Sequence, residues 1–515
     1  MGVTQLPAIE TRQTELRKNR LGVVGIVFFV VAAAAPLVGM TGGVPVAIGL
    51  GNGAAVPGAY VAVGITLILF SVGYATMSQH VTNTGAFFAY VGRGLGITMG
   101  VGSAFVSLVA YLAVQLAVYG FFGALAAAQF SVQFGIDLAW WVWCLLAWAL
   151  VTGLSLFSVD VGAKLLGVLM IAEVIALLLM AVAVFVVGGP EGVNVSASFA
   201  PANVLVGGLT GTAGIALAFA FASFIGFEAT AIYGEESKDP KRTVPIATYV
   251  AVTLITLLFA FASFAIVTGL GSSVVVDRVV ELSSVDGEPL ADPAAVVFSV
   301  AETYVGELWG ASAGSLISST LQWLVLSSLF AGLLAFQNSA ARYFFSMGRA
   351  GVLPRALDRV NPRGAPLAAS TTTSAVAAAV IVFFGLTDKD PVVNMFFWFS
   401  GLAVLAIVVV EALVCLAVIA HFHRTRADTR LWNTLVAPGL AFVGLIFGVY
   451  LLMSRFGLLA GTVAEGVDPT AQQWGLNGTG WTLVLLPFAM LALGAVVGFL
   501  RRETENEGAV KDFVT

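Results

Sequence analysis

Three acidic residues of this 515-residue chain, Glu173, Glu228 and Glu411, stand inside long apolar runs. A carboxylate held in hydrocarbon costs several kcal/mol, so each must be protonated, hydrated or paired with a cation, and such groups are functional candidates by default. The chemistry they suit is reversible proton carriage. Glu228 closes the run Phe219-Ala220-Phe221-Ala222-Ser223-Phe224-Ile225-Gly226-Phe227-Glu228, where a serine, a glycine and an ionisable group occur together. A second unusual run is Ala35-Pro36-Leu37-Val38-Gly39-Met40-Thr41-Gly42-Gly43-Val44-Pro45. Each of its prolines lacks an N–H and clashes with the carbonyl four residues earlier. The carbonyls of Ala32 and Thr41 are therefore expected to be free, and the three glycines ease unwinding. A discontinuous helix of this kind offers N–H donors to an anionic group and carbonyls to an ammonium, which together suit an amino acid zwitterion. For the first run alone, a simple helix kink explains the composition equally well.

Other polar residues have weaker claims. Tyr111, Gln115 and Tyr119 recur at i, i+4 and i+8, one face of a helix, where they either line a pocket or bond between helices. His80, His421 and His423 fall at a predicted membrane interface. Cys144 and Cys415 lie in apolar runs, so neither a disulfide framework nor a metal cluster is expected. The sequence carries no phosphate loop and no nucleophile elbow, so neither an enzyme nor a cofactor is expected.

The elements that must position these residues follow from composition. With 59% hydrophobic and only 10% charged residues, the chain departs far from a soluble domain, in which about a quarter of residues are charged. Helices of ~20 apolar residues span a bilayer. Windows of that length predict twelve, at about 21–51, 57–78, 97–128, 138–158, 162–188, 206–233, 244–270, 312–346, 366–386, 392–420, 432–455 and 480–500. Twenty of the 23 Lys and Arg then fall on one side, leaving Arg278, Lys389 and Arg455 opposite. This bias predicts cytoplasmic N- and C-termini and a cell-membrane, multi-pass protein. The polar segment before Leu21 leads into an apolar stretch too long for a signal-peptide core, so no cleavage is expected. No buried Lys or Arg is expected beside the three acids. The outer segment from Gly271 to Ala311 is acidic, and Pro293 to Trp309 reads either as an amphipathic helix or as a solvated loop.

Three stretches resemble the amino acid, polyamine and organocation (APC) superfamily of permeases. Ser78 to Gly96 is similar to its cytoplasmic re-entrant turn. Ser223 to Glu228, running on to Gly234-Glu235-Glu236 and Asp239-Pro240-Lys241-Arg242-Thr243-Val244-Pro245, resembles its "GFE...EE..DP.R..P" pattern. Asn338 to Pro354 resembles its "NS..R......R.G.LP" signature. The resemblance implies an all-α, LeuT-like five-plus-five inverted repeat plus two C-terminal helices. It divides the chain into an N-terminal tail (1–20), a first repeat (21–188), an outer loop (189–205), a second repeat with the outer loop 271–311 (206–420), two peripheral helices (421–500) and a C-terminal tail (501–515). The substrate cradle it implies is Ala35, Pro36, Leu37, Val38 and Gly39 with Phe221, Ala222, Ser223, Phe224, Ile225 and Gly226, to which the helical spacing of Tyr111 and Gln115 adds lining residues. Where many relatives carry a glycine-serine-glycine turn, this chain has Ala35-Pro36-Leu37-Val38-Gly39. Ala222 occupies the position of the family's gating aromatic, so Phe221 or Phe219 is expected in that role. Glu228 and Glu173 are the expected proton-coupling residues, and Ser327 and Ser328 match a cation site of sodium-coupled members, with close helix packing as their other reading.

The expected function is proton-driven import of an amino acid or related amine by alternating access, as a monomer or weak homo-oligomer among membrane lipids. A cationic amine or polyamine carrier is the first alternative, and a transporter-like sensor or channel the second.

Overall fold

The computed structural model describes residues 22–81, 87–156, 160–232, 237–285, 287–362 and 364–501. Within hydrocarbon a chain must satisfy its own backbone groups, and helices do so segment by segment. The described residues are accordingly helical, with three isolated bridges in place of strands. Nine of these helices are long and apolar enough to cross a membrane, or ten when Pro201–Thr210 and Ala213–Phe224, bent by 116°, count as one span. The first, Val23–Ser78, is interrupted at Gly51 (φ −102°, ψ −114°) and Gly53 (φ +59°), and Trp140–Ser155 is apolar but only 16 residues long.

The framework consists of α1 (Val23–Ala34), α2 (Val56–Ser78), α3 (Phe87–Leu95), α4 (Ile97–Phe134), α5 (Trp140–Ser155), α6 (Asp160–Val187), α7 (Ala213–Phe224) and α8 (Pro240–Leu270). It continues with α9 (Val275–Ser283), α10 (Ala294–Trp309), α11 (Ala311–Arg349), α12 (Leu367–Leu386), α13 (Phe397–Thr425), α14 (Ala437–Ser454) and α15 (Gly478–Arg501). The 38-residue α4 is the hub, packing on α3, α11, α13 and α15. Small residues permit these approaches, since lipid tails supply no hydrophobic drive between helices. Gly102 and Gly494, for example, leave room for backbone to meet backbone.

The segment after α8 folds as α9 and α10, and α10 buries Val296, Val297, Val300 and Tyr304 on one side. Nearby, Glu191 accepts hydrogen bonds from the Ser272 hydroxyl at 3.0 Å, the Ser273 N–H at 2.9 Å and the Ser273 hydroxyl, which hold its carboxyl below the usual range.

Two basic side chains, Arg342 and Arg455, are buried away from any carboxylate bond shown for the three acids. Arg455 donates to the carbonyls of Gly211, Pro469, Thr470, Gln472 and Thr210, binding two loops to the end of α14. Its fork of donors meets a cage of carbonyls instead of a carboxylate, a pairing that composition could not reveal. Arg12, Arg17, Lys18, Arg20, Arg363, Arg502 and Lys511, which contribute to the inner-side bias, lie outside the described residues, as do the Thr82–Ala86 and Gly234–Glu236 portions of the family-like motifs.

Gly94 on α3 has the Ala417 backbone of α13 where its Cβ would lie, with the carbonyl oxygen 2.2 Å away, whereas a Cβ at Gly153 meets nothing within 4 Å. Gly94→Ala is therefore expected to cost about 1–3 kcal/mol through overpacking and to lower the melting temperature in detergent. Gly153→Ala is expected to leave it unchanged or slightly raised. Equal melting temperatures would refute this account of the α3–α13 contact.

Candidate functional site

The first interruption falls at Ala35, which ends α1 in the left-handed region (φ 43°, ψ 70°). Proline disfavours the right-handed helical region in the residue before it, so the residue that unwinds is the one preceding Pro36. This departs from the expected unwinding at the glycines. Gly39, Gly42 and Gly43 remain in a π-type turn, and their missing side chains admit the rings of Phe259, Phe121 and Phe219. The carbonyl of Ala32 is also not free, since it accepts from the Ala35 N–H at 3.3 Å.

The second interruption lies where glycine placed it. Helix α7 ends at Phe224, Ile225 is extended (φ −57°, ψ 126°), and Gly226 has φ +112°, a conformation L side chains rarely adopt. Helical turns resume at Ala229–Ile232. The two breaks cross. A Cβ on Gly226 would lie 2.6 Å from the Ala33 Cβ, and one on Gly39 would lie 3.0 Å from the Ser223 hydroxyl.

Glu228 closes the second break. It is 0% exposed, and its Oε2 accepts from the Gly226 N–H at 2.9 Å while Oε1 accepts from the Tyr111 hydroxyl at 2.6 Å. Its own carbonyl accepts from the Tyr74 hydroxyl at 2.6 Å. A side chain from α4 and another from α2 are thus tied to the open turn. The ring of Tyr343 on α11 lies 5.1 Å from that of Tyr111, tilted by 34°, and its hydroxyl faces that of Ser107. Glu411 on α13 has Glu228 as its electrostatic neighbour.

A third constellation joins the first break to α6 and α11. The Glu173 carboxyl, 2% exposed, faces the Ser328 hydroxyl and the backbone of Leu37. Two residues 291 positions apart, Leu37 and Ser328, thereby meet at one acid.

Some expected residues lie elsewhere. Ser327 turns its hydroxyl back to the Leu324 carbonyl of its own helix at 2.8 Å. Phe221 packs against Gly448 of α14, away from the crossing, whereas Phe219 lies beside Gly43 and Phe397. Gln115 donates to Gln337 at 2.7 Å, and Gln337 in turn donates to Ser374 and to the Ser370 carbonyl, both at 2.9 Å, so Gln115 enters a chain of bonds between α4, α11 and α12. Pro36, Leu37 and Val38 are buried, and Ala222 is half-buried and accepts the Ile225 N–H. Sequence reasoning missed Tyr60, which bonds Ser223 at 3.2 Å, and also Tyr74, Phe259, Gln337 and Tyr343. The available signal was that a tyrosine inside an apolar span needs a hydrogen-bond partner.

Comparison with known proteins identifies the frame. The family model described as amino acid permease matches residues 21–499. The chain belongs to the amino acid permease family. The permease also matches the branched-chain amino acid permease BcaP of Lactococcus lactis subsp. cremoris, with 26% identity over 206 residues. That match covers 40% of this chain and 38% of the relative, so the permease spans well under half the length of the curated relative it matches.

Two substitutions test the site. Gly226→Ala must fit a Cβ at positive φ and against Ala33, and is expected to reduce substrate uptake at least tenfold in protein that remains monodisperse. Wild-type uptake would rule out a required break at this position. Glu173→Ala removes the acid between Ser328 and Leu37 and is expected to lower uptake by a similar factor, with Glu173→Gln intermediate. Equal activity of both variants and wild type in the same vesicle assay would remove Glu173 from the site.

Proposed function

We propose that this permease is a secondary active transporter that carries an amino acid across the cell membrane by alternating access, using protons as the coupling ion. The observation that carries the reading is the crossing of two interrupted helices, with one interruption sealed by the buried carboxyl of Glu228. A crossing of this kind supplies backbone donors and acceptors at one place, the requirement for a zwitterion.

The side-chain end of the substrate is aliphatic in this reading. A Cβ on Gly332 of α11 would make ordinary contact with Ala35, Phe336 and Val118, each at 3.9–4.0 Å, so the groups beside the first break at this point are apolar. BcaP, by its name a branched-chain amino acid permease, supports the same choice. The motif resemblance supports a twelve-span, five-plus-five arrangement. Splitting Val23–Ser78 at its irregular turn, counting the bent pair as one span and including Trp140–Ser155 reaches that number.

Proton coupling rests on Glu228 and Glu173, both buried. One elementary charge moving down ~100 mV supplies ~2.3 kcal/mol, which supports roughly fifty-fold accumulation at ~1.4 kcal/mol per decade.

The test is uptake of labelled leucine, isoleucine and valine into proteoliposomes under imposed proton or sodium gradients. Saturable uptake driven by an inward proton gradient is expected, with at least a tenfold loss in Glu228→Gln. Uptake that requires sodium and survives the substitution would overturn the coupling assignment. Competition by cationic amines but not by neutral amino acids would instead favour an amine carrier.

A further inference from the structure

Helix α14 lies along α7, the part of the sixth predicted span that leads into the second break. A Cβ on Gly448 would lie 2.8 Å from the ring of Phe221, and a Cβ on Gly214 would lie 2.5 Å from the Leu451 carbonyl oxygen. Gly448, Leu451 and Arg455 stand at i, i+3 and i+7, and Phe221 and Gly214 are seven residues apart, so each set occupies one helix face. The two helices therefore run antiparallel in close contact up to Arg455, which ends α14. The Arg455 guanidinium, 4% exposed, completes the seam. Its Nε donates to the Gly211 carbonyl at 3.3 Å and one Nη to that of Thr210, both just before α7. The other Nη donates to the carbonyls of Pro469 at 2.8 Å, Thr470 at 3.1 Å and Gln472 at 3.2 Å. A helix C-terminus carries partial negative charge and favours a cation there, while the Asp468 carboxylate beside this loop accepts from Thr470. Two further bonds hold the same end of α7. Gln473 donates to the Leu209 carbonyl at 2.6 Å, and the Thr212 hydroxyl donates to the carbonyl of Gly51, in the irregular turn of the first span, at 2.6 Å.

The two sides of the break keep different company. Helix α7 packs chiefly on the Ala47–Asn52 segment, α14 and α2, whereas Ala229–Ile232 packs on α1, α8 and α11. The Thr230 hydroxyl, for example, lies 2.7 Å from that of Thr248 on α8. The joint between the two sides includes extended Ile225 and Gly226 at φ +112°. We infer that Arg455 is a positioning residue for transport: it makes α7 and α14 one body, so that the turn at Ile225 and Gly226, and not the α7–α14 seam, yields when the site opens and closes. A helix of 12 residues is about 18 Å long and stiff, so a tilt at the Arg455 end is passed on to Phe219 and Ser223 at the crossing. An arginine suits this place because its planar fork reaches carbonyls of two loops at once, which a lysine ammonium on a single stem does not. Without the fork, fewer carriers hold the crossing in its binding geometry, and the apparent affinity falls by that fraction.

This inference rests on the crossing as the substrate site of a transporter, and the experiment separates the two. Wild type, Arg455→Met and Arg455→Lys are reconstituted, and KM and maximal rate are measured for labelled leucine, together with the melting temperature in detergent. Both variants are expected to raise KM at least tenfold while the maximal rate stays within threefold of wild type. A lower melting temperature or maximal rate with unchanged KM marks a scaffold role and overturns this inference alone. Wild type without saturable uptake overturns the site reading together with it. If neither variant folds, a cross-link decides. In Phe221→Cys combined with Gly448→Cys, the shortened side chain at 221 makes room for the new one at 448, and a bifunctional methanethiosulfonate closes the pair after reconstitution. Wild type treated in the same way, with only the buried Cys144 and Cys415, is the control. Uptake by the cross-linked carrier within threefold of the same protein after reduction supports one body. Uptake lost on cross-linking and regained on reduction shows that the seam must open, and a pair that does not cross-link shows that the seam is absent; either result overturns the proposal.

Discussion

A backbone amide buried in hydrocarbon without a partner costs several kcal/mol, and no water is at hand to relieve it. Every interruption of a spanning helix must therefore be closed by protein groups or by cargo. In this permease the chain between Phe224 and Ala229 is such an interruption, and the carboxyl two residues beyond Gly226 folds back on its N–H. The remaining contacts follow from that closure. Tyr111 and Tyr74 complete the hydrogen bonding of Glu228, which fixes α4 and α2 against the break, and Gly226 must be glycine to reach the required backbone conformation beside Ala33.

Around the crossing the side chains are graded by size. Phe121 and Phe396 stack at 4.8 Å beside Gly42, and Phe219 stands beside Gly43. Beyond the other break, Tyr74 meets Tyr90 and Phe87, and Tyr111 meets Tyr343. Ala33, Ala35, Gly39 and Gly226, where the two interrupted segments meet, carry no bulky side chain and pack closely. Each of the three acids is buried, and Glu228 and Glu173 face hydroxyls and backbone groups.

Much of this frame was legible in the residues themselves. Long apolar runs announce spanning helices because lipid permits little else, and the placement of Gly226 before Glu228 announced the second break because only glycine tolerates that backbone. The first break was legible in kind but displaced. Pro36 unwinds the residue before it, whereas Gly39, Gly42 and Gly43 serve close packing, and a glycine's composition signal is the same for both uses.

Local sequence therefore determined which segments enter the membrane, where helices weaken and which acids are costly there, since each depends on neighbours within a turn or two. Tertiary structure decided which of those features meet. Glu173, Ser328 and Leu37 converge from three helices, and Phe221 turns toward α14 while Phe219 remains beside the first break. These outcomes depend on the rotation and crossing of helices about one another, which small residues such as Gly94, Gly102 and Gly494 set through close backbone approach, and a rotation about a helix axis leaves no mark on the helix's own periodicity.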